Sequence, residues 1–402
     1  MKLIYKIFFA AFTFIPMSWN LFMHSSDGGN QIKDQIDQNF EEVKKRFLNG
    51  EETDSKFELA GIDGPYLIGN NLISVDEHNN VLQRKFEGES IEVIVNNKDV
   101  DRFSVQLRKK HKVPAHEYQQ PSKLIAISDI EGNFNGFASF LQANKVIDEN
   151  FQWIYGDGHL VLVGDFVDRG QNVMPTLWLI YNLEAQAEAA GGMVHFILGN
   201  HEIMNINGNF DYAVGKFHKI AELLGEHEEP WMNNKVIFSK KSELGRWMRS
   251  KNTIEKIGDY LFVHAGLSPE ILPMNLSLKR INKSVRANID NDELYHYPGE
   301  DPVANFLMGR LSPFWYRGFV MNYKYYTKIT EPELSEILEQ YASKAAIIGH
   351  TVVSDVSTDF NQKIIRIDVK HGKDKHSGKT KGLLIENGQK WRINDLGQKT
   401  TL

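Results

Sequence analysis

Asp129, Asp165, Asn200, His264 and His350 share one property along this chain: each stands where an apolar, strand-like run stops. The runs are KLIAIS before Asp129, HLVLVG before Asp165, MVHFILG before Asn200 and His201, YLFV before His264 and AAIIG before His350. One Asp or His after a strand is ordinarily a cap or turn residue. Five in succession are another matter, because ligands of α/β folds bind in the crevice outside the carboxyl ends of the strands, where side chains remote in sequence converge. Carboxylates, an amide and several imidazoles form a hard-to-borderline donor set, suited to Mn, Fe or Zn ions in pairs. The sequence has no cysteine, which excludes thiolate nucleophiles, Cys-bound zinc, iron–sulfur clusters and disulfides.

The elements that must position these residues are legible around them. From Lys123 onward the apolar runs alternate with helical patterns at Phe134 to Ala143 and Pro175 to Ala189. Thr330 with Glu333 forms a capping-box signature for a helix reaching Tyr341. The fold class is therefore α/β. Between Lys56 and Val113, short alternating runs (PYLIG, NLISV, VLQRKF, IEVIV, FSVQL) separated by turn signals predict a β-rich accessory domain over 56–118, ahead of a catalytic domain over 119–402. Residues 1–25 place Lys2 and Lys6 before an apolar run from Ile7 to Ile15. That run falls short of the roughly 20 residues of a spanning helix and fits a secretory signal, with an uncleaved membrane anchor as the other reading. The expected location is secreted or periplasmic. Residues 26–55 read as a polar linker with a short helix around Gln35 to Phe47, and His371 to Gly382 as a solvated loop. With 46 Lys and Arg against 52 Asp and Glu, the chain offers no broad basic field, so nucleic acid is not expected as a structural partner.

The segments SDIEGN (128–133), GDFVDRG (164–170), GNHE (199–202), HAG (264–266) and GHT (349–351) resemble those of the calcineurin-like metallophosphoesterases, and among these the phosphoprotein phosphatase group and its bacterial relatives. The resemblance runs from about Lys123 to Ile393 and implies a β-sandwich flanked by helices that holds two metal ions, Mn or Fe, with Zn as the alternative. It implies that Asp165 bridges the ions, that Asp129 binds the first, and that Asn200, His264 and His350 bind the second. His201 would be the general acid, oriented by Asp168, while Arg169 and Arg317 meet the phosphate.

One position departs from the pattern: where the family has His, two residues after the first Asp, this chain has Glu131. As a ligand of the first metal it would leave the site neutral where an imidazole leaves it one unit positive. A unit charge at about 4 Å amounts to roughly 4 kcal/mol at an effective dielectric near 20. Carboxylate ligation with an active site is the expectation.

The activity implied is hydrolysis of phosphomonoesters, in the manner of serine/threonine phosphatases, by direct attack of a metal-bridging hydroxide on a phosphorylated protein or small molecule. The alternatives are hydrolysis of dinucleoside polyphosphates or phosphodiesters, and a non-catalytic protein that binds metal and phosphate. His195, inside a strand-like run, reads as a hydrogen-bonded imidazole, His159 as an exposed turn residue, and Glu202 as bonded within its loop. Trp231, Trp247, Tyr295 and Tyr297, which lie between the motifs, read mainly as packing residues, with substrate stacking as their other role.

Overall fold

In the computed structural model, residues 54–402 form one compact unit, described over 57–225 and 230–402. The leader, the linker and the short helix read around Gln35 to Phe47 lie outside the described residues. No helix among the described residues is long and apolar enough to cross a membrane.

Five strands come first: β1 (Asp63–Ile68), β2 (Asn71–Val75) and β3 (Val81–Lys85) in one antiparallel sheet, then the hairpin of β4 (Ser90–Ile94) and β5 (Arg102–Gln106). They coincide with the alternating runs of the sequence. In the hairpin Ile91, Val93, Phe103 and Val105 are buried while the positions between them face outward, the period of two that a one-sided strand requires.

Two six-stranded sheets follow. They are built from β6 (Glu117–Tyr118), β7 (Lys123–Ile127), β8 (His159–Val163), β9 (Met193–Ile197), β10 (Ile254–Ile257), β11 (Tyr260–Val263), β12 (Ala345–Ile348), β13 (Ser357–Asp359), β14 (Ile364–Arg366), β15 (Lys381–Glu386), β16 (Gln389–Asn394) and β17 (Lys399–Thr401). The strand orders are β13-β14-β12-β11-β10-β6 and β17-β16-β15-β7-β8-β9. The sheets pack face to face, with Leu124, Ala126, Val161, Val163 and Leu383 of one sharing a core with Ile257, Phe262, Ile347 and Ile365 of the other. Within them β7, β8 and β9 run parallel, as do β11, β12 and β14. Parallel strands are covered on both faces, which is why these runs read as continuous Val, Ile and Leu rather than alternating.

Helices α1 (Phe134–Ala143), α2 (Val173–Ala189), α3 (Asn200–Ile206), α4 (Glu243–Arg249) and α5 (Glu331–Gln340) carry the parts of the chain used below. The helices flank the sandwich. Phe137 of α1 meets Phe166, Phe166 meets Phe196 of β9, and Phe196 stacks on Trp247 of α4 at 4.9 Å. Trp247 is fully buried, so its role is packing.

Helix α2 is buried on every side from Val173 to Glu184, as expected of a helix apolar around most of its circumference. Its outer side is covered by the N-terminal strands: Trp178 Nε1 donates to Pro65 O at 2.8 Å and Asn182 Nδ2 to Ser104 O at 3.1 Å. Asn172, at its N-cap position, spends its side chain on the backbone of Asn96 instead of on the helix. Glu184 ends the buried stretch and ties three segments together through Lys251 Nζ at 2.5 Å, Arg108 Nη1 at 2.9 Å and Trp247 Nε1 at 3.0 Å. Because Lys251 is itself buried, Glu184→Ala leaves an uncompensated ammonium, and removing one partner of such a pair costs about 3–5 kcal/mol. A urea titration of the variant is expected to show a loss of that size.

The segment from His371 to Gly382 is irregular up to Thr380 but not free. Lys375 pairs with Asp99 at 2.8 Å and Asp101 at 2.6 Å, and His371 Nε2 donates to Ser128 O at 2.9 Å. Its lysines and glycines suggest solvent, but acidic partners on a distant hairpin anchor it.

Candidate active site

The carboxyl ends of the two sets of parallel strands meet, and there the residues singled out in the sequence converge. Asp129 follows β7, Asp165 follows β8, and Asn200 and His201 open α3 just after β9; His264 follows β11 and His350 follows β12. The backbone at these turns is unusual. Asp129, Glu131, Asp165, Asp168, Arg169 and His350 all take φ between +51° and +70°, a left-handed conformation that non-glycine residues adopt at a cost. That cost aims the side chains back over the strand ends. Neighbouring glycines provide the room: a Cβ on Gly199 would collide with Asp165 Oδ1, and one on Gly349 with Asp129 Oδ2.

Asp165 sits at the centre. Its Oδ1 accepts from the backbone N–H of His201 at 3.0 Å, and its Oδ2 lies 3.0 Å from His264 Nε2. His264 Nδ1 is 2.8 Å from Val163 O, and because a carbonyl only accepts, Nδ1 carries the proton. Nε2 of the same ring faces two acceptors, Asp165 Oδ2 at 3.0 Å and Asn200 Oδ1 at 3.0 Å. These atoms need positive charge among them: burial opposes it, but the Asp165 carboxylate raises His264 above the ordinary imidazole value, and either a proton on Nε2 or a metal cation meets the need. His350 adds a fourth: its Nε2 is buried with no hydrogen-bond partner. Burial, then the neighbouring His264, hold His350 well below the ordinary imidazole range, so its ring is neutral and has one lone pair to offer. Asp165, His264 and His350 each offer a ligand atom within 4.8 Å of the others. Across the centre, burial followed by the carboxylates of Asp368 and Asp165 pushes the Asp129 carboxyl well above its usual range. Buried negative charge in excess and imidazole nitrogens without donors fit divalent cations, and the donors are of the kind such ions take.

His201 stands beside this group. Its Nδ1 meets Asp168 Oδ2 at 2.6 Å, and Asn205 Nδ2 holds the other Asp168 oxygen at 2.8 Å. Burial disfavours the imidazolium, but the carboxylates of Asp165 and Asp168 outweigh it and raise His201 above the ordinary histidine value. Arg317 donates to His350 O at 2.7 Å and to Thr351 Oγ1 at 3.2 Å, which places its guanidinium at the same end of the site. Arg169 lies over the ring of Tyr212 at 5.2 Å and pairs with Glu131. Glu131 thus stands at the mouth, on Arg169, and outside the Asp165, His264 and His350 group.

Some contributions go beyond what sequence reasoning assigned. Glu202 is fully buried and accepts the backbone N–H groups of Gly199 at 2.7 Å, Phe166 at 2.8 Å and Asp165 at 2.9 Å, clamping two motif loops together. Asn205, one turn after His201, fixes Asp168. Aromatic rings flank the site on two sides: Tyr212 stands edge-on to His201 at 5.0 Å, and Trp315 edge-on to His350 at 5.9 Å with Tyr295 against it at 5.3 Å. Tyr297 is exposed. His195, read as a bonded imidazole, is buried between Glu255 and His159, and that contact leaves His159 only partly exposed.

Comparison with known proteins gives the family to which the chain is similar. The sequence profile of the calcineurin-like phosphoesterases matches residues 122–354. The Shewanella-like protein phosphatase 2 of Arabidopsis thaliana is 28% identical over 291 residues, covering 63% of this chain and 72% of that protein. The Shewanella-like protein phosphatase 1 of Plasmodium berghei is 30% identical over 230 residues, 57% of this chain and 61% of that one. Among solved structures, the cold-active protein-tyrosine phosphatase of a psychrophilic Shewanella species superposes with a TM-score of 0.73 at 31% identity, over 85% of this chain and 100% of that one. The superposition therefore takes in the N-terminal strands as well as the sandwich.

Proposed function

The chain belongs to the calcineurin-like phosphoesterases, and from that premise we propose that it hydrolyses phosphomonoesters with aryl leaving groups, phosphotyrosine in a protein foremost. The family is hydrolytic and its enzymes are dinuclear in metal. The observation that carries the finer reading is the pair of aromatic rings, Tyr212 beside His201 and Trp315 beside His350, against which the ring of an aryl ester would pack. The Shewanella protein that superposes on this chain is a protein-tyrosine phosphatase, which points the same way.

In this reading Asp129 and Asp165 would hold the first cation and Asp165, Asn200, His264 and His350 the second, with Mn or Fe suited to the donor set. When bound, such a pair supplies Lewis-acid charge to the phosphoryl oxygens and acidifies water. The side chains do the rest. Arg169 and Arg317 would supply guanidinium donors to the phosphate. His201 donates its Nε2 proton to the departing oxygen while Asp168, itself held by Asn205, keeps Nδ1 protonated and the ring aligned. Tyr212 stands edge-on to that imidazole at 5.0 Å. Export by the leader over residues 1–25, which would place the enzyme outside the cytoplasm, rests on the sequence of that segment.

The test is a kinetic comparison of phosphotyrosine and phosphoserine peptides of one sequence, with Mn²⁺ supplied. The proposal expects kcat/KM at least tenfold higher for phosphotyrosine, and expects Trp315→Ala to narrow the gap. Equal or reversed efficiencies would favour the serine/threonine reading.

A further inference from the structure

Glu131 and Asp368 are the two acidic residues whose places in the site are not explained by what precedes. Glu131 occupies the motif position from which the family draws a ligand, yet its carboxylate is engaged with Arg169. That leaves Asp129 and Asp165 to the first cation. Asp368 lies about 240 residues further along the chain and approaches the same place from the other sheet. Strands β12 and β14 are parallel with Ile348 opposite Arg366, and the Ile367 N–H donates to Ile348 O at 2.9 Å. Two residues beyond that pair in each segment stand His350 and Asp368, past the carboxyl ends of the two strands. The Val353 N–H donates to the Asp368 carbonyl at 2.9 Å, fixing the backbone there.

The Asp368 side chain is only 3% exposed. Its carboxylate accepts no hydrogen bond from any described residue. The charged groups close enough to act on it are His264, Asp165, Arg317 and Arg169, together with Asp129. A buried carboxylate without a donor, set among two other carboxylates, is costly in isolation and is ordinarily paired or coordinated. Resting on the two-cation reading above, we propose that Asp368 is a ligand of the first cation and takes the place the motif position would give to Glu131. Glu131 is then a positioning residue: the guanidinium has five donors, so Arg169 can keep Glu131 and still meet a phosphate.

Two carboxylate variants separate the roles. Apo protein is prepared by chelation, Mn²⁺ is titrated calorimetrically, and bound metal is counted by elemental analysis. The parent is expected to bind two ions per chain. Asp368→Asn should lose one of them or bind it at least tenfold more weakly, leaving the other unchanged. Glu131→Gln should keep both ions at parent affinity while its affinity for inorganic phosphate changes. Thermal unfolding guards against a folding artefact, because removing one of three facing carboxylates should raise the Tm of the apo variant and shrink the gain in Tm that Mn²⁺ confers. Two ions at parent affinity in Asp368→Asn, or loss of an ion in Glu131→Gln, would overturn the assignment. A parent that binds no cation would instead overturn the two-cation reading, and the assignment with it.

Discussion

Asp165→Asn is expected to lower phosphomonoester turnover by about a thousandfold without lowering the stability of the fold. Asp165 alone reaches both halves of the centre: one oxygen is held by the His201 N–H and the other faces His264 at 3.0 Å. Asparagine keeps the shape, tolerates the left-handed backbone at φ +60° as well as aspartate does, and leaves the backbone N–H on Glu202. What it removes is one negative charge and one donor oxygen. A unit charge at about 4 Å is worth roughly 4 kcal/mol at an effective dielectric near 20, and each 1.4 kcal/mol is tenfold in rate, hence about three orders of magnitude. The amide would also present a donor where a cation should sit. Steady-state turnover of an aryl phosphate under saturating Mn²⁺, with a urea titration alongside, measures both quantities. Turnover within tenfold of the parent would remove Asp165 from the centre of the chemistry.

The contrast between what was legible in the sequence and what was not has a physical basis. The strands after which Asp129, Asp165 and Asn200 stand are covered on both faces, so their apolar runs are continuous and their ends abrupt. A ligand at such an end announces itself. Helix α5 was readable because the Thr330 and Glu333 side chains cap it reciprocally, a purely local arrangement. Glu202 was not readable as a clamp, because the N–H groups it accepts from Asp165 and Phe166 come from another motif nearly 40 residues away. Asp368 follows a strand of three residues, Ile364–Arg366, too short to show a pattern, and only its register against β12 gives it meaning. Nor could the sequence position of Glu131 reveal its pairing with Arg169 across the turn. Side chains that act on their own segment can be read from sequence; those whose partners are set by sheet register need the fold.

His201→Asn should discriminate between leaving groups. The imidazole contributes only as the P–O bond breaks, by placing a proton on the departing oxygen, and general-acid catalysis of this kind is worth about 10²–10⁴-fold. An alkoxide needs that proton, whereas a phenolate or nitrophenolate departs with little help. The variant is therefore expected to lose about a thousandfold on an alkyl phosphate such as phosphoserine, inside that span, and less than about thirtyfold on a nitrophenyl ester, below it, because the phenolate needs little of the proton's help. Asparagine retains the backbone N–H that Asp165 accepts, so the metal side of the site is left in place. Asp168→Asn should reproduce the pattern more weakly, since it deprives Nδ1 of its acceptor without removing the ring. The measurement is a plot of log kcat/KM against leaving-group pKa for parent and variants. A steeper negative slope in His201→Asn supports the acid role, and parallel lines would show that the imidazole acts on binding or structure instead.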